Sequence, residues 1–201
     1  MGVRILATGS YAPEKILTNA DLEKMVETSD EWITTRTGIK ERHIAGPDMP
    51  TSELAFRASQ HALEMAGLKA EDLDIVIVAS FTHDRILPST SCILQRKLGA
   101  KNAMCFDIQA ACSGFIYSLE VAISLLKGND KYKHALLVGA DKLSSVTDWT
   151  DRSTCVLFGD GAGAIILGKD DSSEDCFVAS KLGADGNYVD SLHIPAGGTE
   201  M

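Results

Sequence analysis

The sequence lacks several features that would assign it to a specialised class of protein. Its longest apolar runs, such as residues 74–79, have only the length of a strand, so we predict no membrane span. Basic charge is not in excess, and the net charge of −9 argues against nucleic acid as a partner. We expect no signal peptide, because the strand pattern of residues 3–9 begins without a charged and apolar leader before it.

Cysteine is sparse and follows no pairing pattern. The five cysteines stand at positions 92, 105, 112, 155 and 176, and they form no Cys-x-x-Cys motif. Reduced thiols in a cytoplasm therefore fit better than a disulfide framework or a zinc site. The histidines at 43, 61, 83 and 134 are scattered without a partner four residues away or a carboxylate companion, so we predict no metal site.

The glycine-rich motif near residue 160 does not indicate a nucleotide cofactor. Gly159, Gly161 and Gly163 are spaced G-x-G-x-G rather than G-x-G-x-x-G, and a strand pattern follows them instead of a helix. Close backbone packing explains these glycines better. We therefore predict that the protein needs no organic cofactor.

What the chain does contain is an alternation of strand and helix patterns. Strand patterns cover residues 3–9, 74–80, 103–106, 134–140, 162–168 and 177–183. Helices are predicted after Thr18, between Ser29 and Gly38, from 51 or 52 to 66, from 89 or 91 to 98, and from Cys112 to 128. This alternation predicts an α/β fold, in which helices cover both faces of a sheet. A flavodoxin-like or Rossmann sheet fits the pattern equally well.

The most informative stretch is residues 106–115, in which the end of the strand pattern of residues 103–106, which predicts a buried strand, is followed by a turn of small residues, Cys112 and an amphipathic helix. The helix has apolar residues on one stripe, at 115, 116, 119, 122, 123 and 126. Unpaired N–H groups and the helix dipole favour a thiolate at such a helix start. Small neighbours leave the sulfur unshielded, as a nucleophile that attacks a carbonyl requires. The alternative is a buried structural cysteine.

Four motifs resemble one family of enzymes. Ala110-Ala111-Cys112-Ser113-Gly114-Phe115 resembles the active-site motif of β-ketoacyl-acyl-carrier-protein synthase III, the initiating condensing enzyme of type II fatty-acid synthesis. Residues 9–13, 29–42 and 158–164 match further motifs in the same order. The resemblance implies a thiolase-like fold, in which two related α/β halves stack as five layers, αβαβα. Residues 1–201 would form the N-terminal half with the nucleophilic cysteine, and the C-terminal half would be absent.

The resemblance also implies a reaction. Cys112 would take an acyl group from acetyl-CoA or another short acyl-CoA, and the thioester would condense with malonyl-acyl carrier protein to give a 3-oxoacyl-acyl carrier protein. The family's histidine and asparagine for the second step lie in its C-terminal half. Asn187 and His193 read as parts of a turn and a loop, so we expect no catalytic role for them and doubt that residues 1–201 condense alone.

By the same resemblance, one group of residues would bind coenzyme A. Trp32 and Arg152 would hold the adenine, and Arg36 would contact its phosphates or the carrier protein. Thr28 and Thr37 match flanking positions. The alternatives are that Trp32 is only a packed anchor and that Arg152 forms a surface ion pair with Asp148 or Asp151.

A second group would line the acyl pocket. Leu87 matches a position whose side chain crosses the dimer interface. A bulky side chain there would limit the length of the acyl primer. The alternative is that Leu87 packs in the core. The remaining pocket residues would be Leu143, Leu157 and Phe158.

The resemblance further implies a homodimer in the bacterial cytoplasm. Arg36, Lys40, Arg42 and His43 form the densest basic cluster, which is either a docking site for acidic carrier protein or a solvated surface run. The alternatives to this enzyme are a thiolase-fold synthase of another pathway, a non-catalytic module that binds coenzyme A or dimerises, and a flavodoxin-like binding protein.

Overall fold

A computed structural model describes residues 2–170 and 175–199. The strands are β1 (Gly2–Tyr11), β2 (Ile16–Thr18), β3 (Glu41–His43), β4 (Ile75–Ala79), β5 (Met104–Ile108), β6 (His134–Lys142) and β7 (Asp160–Asp170). The helices are α1 (Asn19–Leu22), α2 (Asp30–Thr37), α3 (Thr51–Ala66), α4 (Thr90–Leu98) and α5 (Gly114–Gly128). Short 3₁₀ turns occupy Ala70–Asp72, Ala111–Ser113, Leu143–Ser145 and Gly186–Tyr188.

A five-stranded sheet in the order β1-β7-β6-β4-β5 forms the centre of the fold. Strand β4 runs parallel to β5 and β6, whereas β7 is antiparallel to both of its neighbours. The predicted α/β architecture is therefore confirmed. The reversed strand lies inside the sheet, which distinguishes it from the parallel flavodoxin-like and Rossmann sheets that the sequence pattern also allowed.

Helices cover both faces of this sheet, as predicted. Because side chains alternate along a strand, Val76 and Val78 face the core shared with α3 and α4. Ile75 and Ile77 face the opposite core, which is shared with α5. The parallel strands β4 and β6 are therefore buried on both sides, and their apolar sequence follows from that position.

Two of the predicted strands differ from the structure. Residues 177–183 form no regular structure and are largely exposed, so that prediction is wrong. Cys176 donates its N–H to the carbonyl of Val3, but no ladder of bonds continues along the segment, and an apolar pattern without a partner strand does not form a sheet. The strand predicted at 103–106 exists as β5, but it is a half-buried edge strand rather than a buried one.

Local signals around α1 and α2 are confirmed in detail. The Thr18 side chain accepts from the Asp21 N–H, and the Asp21 carboxylate accepts from the Thr18 N–H over 3.2 Å, which completes a capping box. Ser29 caps α2 by accepting from the N–H of Trp32 over 3.1 Å. Gly38 ends that helix in the left-handed conformation at φ 73°. These caps fix where the Trp32 side chain leaves the backbone.

One helical stretch, Ala111–Gly128, is long and apolar enough to cross a membrane by length and composition alone. Its buried residues Ala122, Ile123 and Leu126 pack against the sheet. A core helix of a soluble protein passes the same test, so the stretch is weak evidence for a membrane span.

Candidate active site

Cys112 lies in the 3₁₀ turn between β5 and α5, and it is exposed. The predicted position at a helix start is confirmed, and the alternative of a buried structural cysteine is wrong. Ala111, directly before it, has a φ of 43°, a strained conformation for a residue other than glycine. A Cβ on Gly114 would lie 3.4 Å from the Cβ of Ala79 and 3.6 Å from the Ile108 carbonyl oxygen. The turn is thus pressed against the ends of two strands with its thiol facing outward.

The turn lies at the carboxyl edge of the parallel strands, where ligands bind in open α/β sheets. Because β4, β5 and β6 run in the same direction, the loops that follow them meet at this edge. Asp141, near the end of β6, holds the loop after β4, since its carboxylate accepts from Ser80 Oγ over 2.9 Å, from the Phe81 N–H over 3.1 Å and from Thr82 Oγ1 over 2.9 Å. The loop after β4 is thereby held beside the end of β6.

A histidine at this edge has a carboxylate companion that the sequence did not reveal. His83 Nδ1 lies 3.3 Å from Asp107 Oδ2, so the expectation of histidines without such companions is wrong at this position. The Asp107 carboxylate also accepts from the N–H groups of Thr90 and Ser91, over 2.7 and 2.8 Å, at the start of α4. The sequence did contain one signal for this pairing, because Asp107 is an acidic residue near the end of the otherwise apolar strand β5. Among the described residues no group of three potential metal ligands occurs.

The residues expected to bind coenzyme A come together at α2. The guanidinium carbon of Arg152 lies 4.9 Å from the centroid of the Trp32 ring, and that of Arg36 lies 4.8 Å from it. Trp32 is half-buried and packs on the apolar cluster that contains Ile33 and Val156. It is therefore both a packed anchor and an accessible aromatic surface for a cation or a base.

Arg152 does not form the ion pair considered from the sequence. The Asp148 carboxylate accepts from the side chain of Thr150, and that of Asp151 accepts from the side chains of Ser153 and Thr154. These hydrogen bonds lower the pKa of both carboxyl groups. Both aspartates cap the turns of this loop, which leaves the Arg152 guanidinium on the ring of Trp32.

The two threonines expected to flank this site differ in their hydrogen bonding. Thr28 Oγ1 is buried and has no hydrogen-bond partner within the described part of the chain. Thr37 Oγ1 donates to the carbonyl of Ile33 over 2.7 Å and accepts from the N–H of Ile39 over 3.0 Å. Thr37 thus completes the end of α2.

The residues expected to form the acyl pocket lie in loops near the sheet edge. Leu87 is 83% exposed in the loop after β4, so the alternative of core packing is wrong for it. Leu143 opens the 3₁₀ turn after β6 and is half-buried. Leu157, 41% exposed, and Phe158, half-buried, precede β7. The pairing of β6 with β7 brings the last three residues to the same end of the strand pair.

The basic cluster predicted around α2 is smaller than the sequence indicated. Arg36 and Lys40 are exposed, but Arg42 is only 3% exposed and His43 is half-buried. Burial lowers the pKa of the Arg42 guanidinium, while Cys155 acts in the opposite direction. Arg42 therefore cannot belong to a docking surface. Strand β3 is only three residues long, so the alternation that buries its middle residue gave too short a signal to recognise.

Asn187 and His193 lie in a turn and a loop, as predicted. Asn187 donates both its backbone N–H and its side-chain amide to Asp185 Oδ1, over 3.0 and 2.8 Å, which stabilises a 3₁₀ turn. The ring of His193 lies 3.3 Å from the carbonyl oxygen of Asp190 and is exposed. Both residues are used in local turn structure.

Comparison with known proteins gives a consistent family signal. Residues 106–186 match the family model of 3-oxoacyl-[acyl-carrier-protein (ACP)] synthase III. The chain is 58% identical over 197 residues to the β-ketoacyl-[acyl-carrier-protein] synthase III of Caldanaerobacter subterraneus subsp. tengcongensis, which covers 98% of this chain and 59% of that protein. It is 54% identical over 194 residues to the enzyme of the same name from Thioalkalivibrio sulfidiphilus, covering 96% of this chain and 59% of that protein.

Solved structures agree with these relatives. The chain is similar to 3-oxoacyl-[acyl-carrier-protein] synthase III from Aquifex aeolicus VF5, with a TM-score of 0.82, 53% identity, and coverage of 85% of this chain and 55% of that chain. It is also similar to the enzyme from Pseudomonas aeruginosa PAO1, with a TM-score of 0.92, 42% identity, and coverage of 100% and 61%. The chain thus has a thiolase-like fold and spans about 59% of the length of the curated relatives it matches.

Proposed function

We propose that this chain, which is similar to the β-ketoacyl-[acyl-carrier-protein] synthase III enzymes, belongs to an enzyme of that kind and that its Cys112 accepts an acyl group from acetyl-CoA or another short acyl-CoA. The observation that carries the proposal is the exposed thiol in a strained turn at the carboxyl edge of the sheet. Attack on the thioester carbonyl forms the Cys112 thioester and releases the thiol of coenzyme A, whose sulfur takes the proton. The acyl group is then ready for transfer.

We propose that residues 1–201 act as the N-terminal thiolase-like domain of such an enzyme. Decarboxylation of malonyl-acyl carrier protein releases CO₂ and gives a carbanion. This carbanion attacks the carbonyl of the Cys112 thioester, the bond from the acyl carbon to the sulfur breaks, and 3-oxoacyl-acyl carrier protein forms while Cys112 leaves as the free thiolate. Donors that stabilise the developing enolate are needed for this step, and Asn187 and His193 are poor candidates because both belong to exposed turn structure. We therefore propose that such donors come from a segment that corresponds to the part of the relatives' length that this chain does not span.

Trp32, Arg36 and Arg152 are the proposed binding site for coenzyme A. An aromatic face and a guanidinium plane hold a purine by stacking and cation–π attraction, and a second guanidinium beside them suits a phosphate. Thr28, whose hydroxyl oxygen is buried, is proposed to flank the same site. Leu87, Leu143, Leu157 and Phe158 are proposed to line the path of the acyl chain.

A homodimer is proposed as the assembly. Strand β5 is the edge strand nearest Cys112, and the exposed Met104 begins it, so its unpaired backbone groups face outward. The exposed Leu87 is proposed to cross the dimer interface and to help line the acyl pocket of the second copy. We place the enzyme in the cytoplasm, where thiols such as those of Cys92, Cys105, Cys112 and Cys155 stay reduced.

A condensation assay on the full-length protein tests the proposal. Acetyl-CoA and malonyl-acyl carrier protein are supplied, and formation of acetoacetyl-acyl carrier protein is followed for the natural protein and for Cys112→Ala. The proposal predicts product that depends on Cys112. Coenzyme A binding without any product would favour a non-catalytic module, and activity with different primers and extenders would favour a synthase of another pathway.

A further inference from the structure

Arg42 is a buried cation whose hydrogen-bond partners are neutral. Its Nε donates to the carbonyl oxygen of Val156 over 3.1 Å, Nη2 donates to the same oxygen, and Nη1 donates to Oδ1 of Asn19. Within residues 2–170 and 175–199 it forms no ion pair with a carboxylate. Burying a charge without a counter-ion is costly, and hydrogen bonds to neutral groups offset only part of that cost. This suggests that Arg42 does more than stabilise the fold.

Asn19 extends the contact from Arg42 to helix α2. Its Nδ2 donates to Oδ1 of Asp30 over 2.7 Å and to the carbonyl oxygen of Ile39 over 2.9 Å. Asp30 opens α2, and Ile39 follows the glycine that ends it, so one buried amide group holds both ends of the helix. Trp32 projects from the first turn of this helix. The helix from which the Trp32 ring projects is therefore held in place by a group that Arg42 itself contacts.

Val156 extends the contact from Arg42 to the turn that carries Arg152. The N–H of Cys155 donates to the carbonyl of Asp151 over 2.9 Å, and the N–H of Leu157 donates to that of Thr154 over 3.0 Å. Residues 151–157 are thus wound into consecutive turns. Two N–H groups of Arg42 converge on the Val156 carbonyl, so they fix one point of this wound segment relative to α2.

We propose that Arg42 is a positioning residue for coenzyme A binding, which sets the spacing between the two backbone elements that carry Trp32 and Arg152 by tying both to one buried group. The proposal rests on the proposed function, in which this pair holds the adenine. Apolar contacts between Ile33 and Val156 also join the two elements, but such contacts have no direction. The planar fork of a guanidinium does have direction, and it fixes both separation and angle.

Arg42→Lys tests this by keeping the charge and removing the fork. In the full-length protein we expect the Kd for coenzyme A to rise about tenfold. The KM for acetyl-CoA in Cys112 acylation rises by a similar factor, while the acylation rate at saturation stays unchanged. Leu94→Ala is the control, because Leu94 is a fully buried residue of α4 in the core on the α3 side of the sheet and touches neither element. It should lower stability and leave both binding constants unchanged.

A second readout needs no ligand. In a Trp149→Phe background Trp32 is the remaining tryptophan of residues 1–201, and any tryptophan outside these residues is replaced by phenylalanine as well. Acrylamide quenching of the fluorescence then reports how well Arg152 covers the Trp32 ring. Arg42→Lys should increase the quenching constant, whereas Leu94→Ala should not. If Arg42→Lys does not fold, Asn19→Ala interrupts the same connection and is read in the same way.

The outcomes separate this proposal from the proposed function. If the natural protein does not bind coenzyme A, the proposed function fails, and the quenching experiment alone decides the role of Arg42. If Arg42→Lys binds coenzyme A as tightly as the natural protein and shows the same quenching, the positioning role is overturned. It is also overturned if Leu94→Ala and Arg42→Lys weaken binding equally, since the effect then follows stability alone.

Discussion

The guanidinium carbon of Arg152 lies 4.9 Å from the centroid of the Trp32 ring, too close for an aromatic base to fit between them. An inserted ring needs about 3.5 Å on each side, or about 7 Å in total. Adenine binding at this pair therefore requires Arg152 to withdraw by about 2 Å. The exposed Arg152 side chain can make this movement by changing its rotamer, while the backbone of its segment stays tied to Arg42 through the Val156 carbonyl.

Removing the aromatic face should weaken coenzyme A binding without preventing folding. Trp32→Ala is expected to raise the Kd by about 2- to 30-fold, since a cation–π or stacking contact contributes about 0.5–2 kcal/mol. Isothermal titration with coenzyme A measures this. Trp149→Phe is the matched control, because Trp149 packs on the same cluster and donates to the Ser144 carbonyl. Equal losses in both variants would contradict a specific role for Trp32.

Bulk at position 87 should select the primer. Leu87→Phe is expected to lower acylation by four-carbon acyl-CoA about tenfold relative to acetyl-CoA, because a larger side chain fills the space for the longer chain. The ratio of the two acylation rates is the measurement. Ile86→Phe is the control, since Ile86 is 97% exposed in the same loop. A change of the same size in both variants would remove Leu87 from the pocket.

The packing of β1 on α3 predicts a sharp difference between two glycines. A Cβ on Gly9 would lie 2.2 Å from the Ala58 carbonyl oxygen and 2.5 Å from the Ala62 nitrogen, whereas a Cβ on Gly163 would meet nothing within 4 Å. Gly9→Ala should lower the free energy of unfolding by about 1–3 kcal/mol or more, and Gly163→Ala should change it by less than about 0.5 kcal/mol. Urea unfolding of the full-length protein measures both. Equal effects would contradict this packing.

The thiols nearest the site should differ in their response to pH. Burial raises the pKa of the Cys105 thiol to about 12, and Cys92 and Asp107 act in the same direction. Because alkylation requires the thiolate, iodoacetamide at about pH 8.5 should leave Cys105 unmodified while the exposed Cys92 and Cys112 react. Peptide mass spectrometry measures this. Rapid modification of Cys105 in the folded protein would contradict the assignment.

The same shift has a consequence for stability. The folded state keeps the Cys105 proton above the ordinary pKa of 9.0, where the unfolded chain has already lost it. This contribution to stability is therefore full below pH 9 and decreases as the pH rises towards 12. Cys105→Ala should reduce the dependence of the unfolding free energy on pH in this range.

Features encoded within a few residues could be predicted from the sequence. The cap at Ser29, the left-handed Gly38 and the position of Cys112 at a helix start each depend on neighbours along the chain, and all three are confirmed. The resemblance of residues 110–115 to a known motif added a role that no local pattern could supply. The sequence therefore predicted those parts of the site that depend only on residues close together along the chain.

Features that depend on distant partners could not be predicted in this way. In the sequence Arg42 looks like a cation on the surface. It is buried because β3 pairs with β2 and because the Arg42 side chain reaches Val156, which is 114 residues away along the chain. The pairing of His83 with Asp107 likewise exists only once β4 and β5 are adjacent. The hydrophobic periodicity of the sequence cannot show that β7 runs in the opposite direction, because a strand has the same pattern of apolar residues in either direction.

The intact mass of the full-length protein before and after acetyl-CoA tests the central claim most directly. We expect the mass to increase by one acetyl group. Cys112→Ala should abolish this increase, whereas Cys92→Ala, which removes another exposed thiol, should leave it unchanged. A gain that survives Cys112→Ala, or no gain from folded protein with acetyl-CoA or longer acyl-CoAs, would contradict Cys112 as the acyl acceptor.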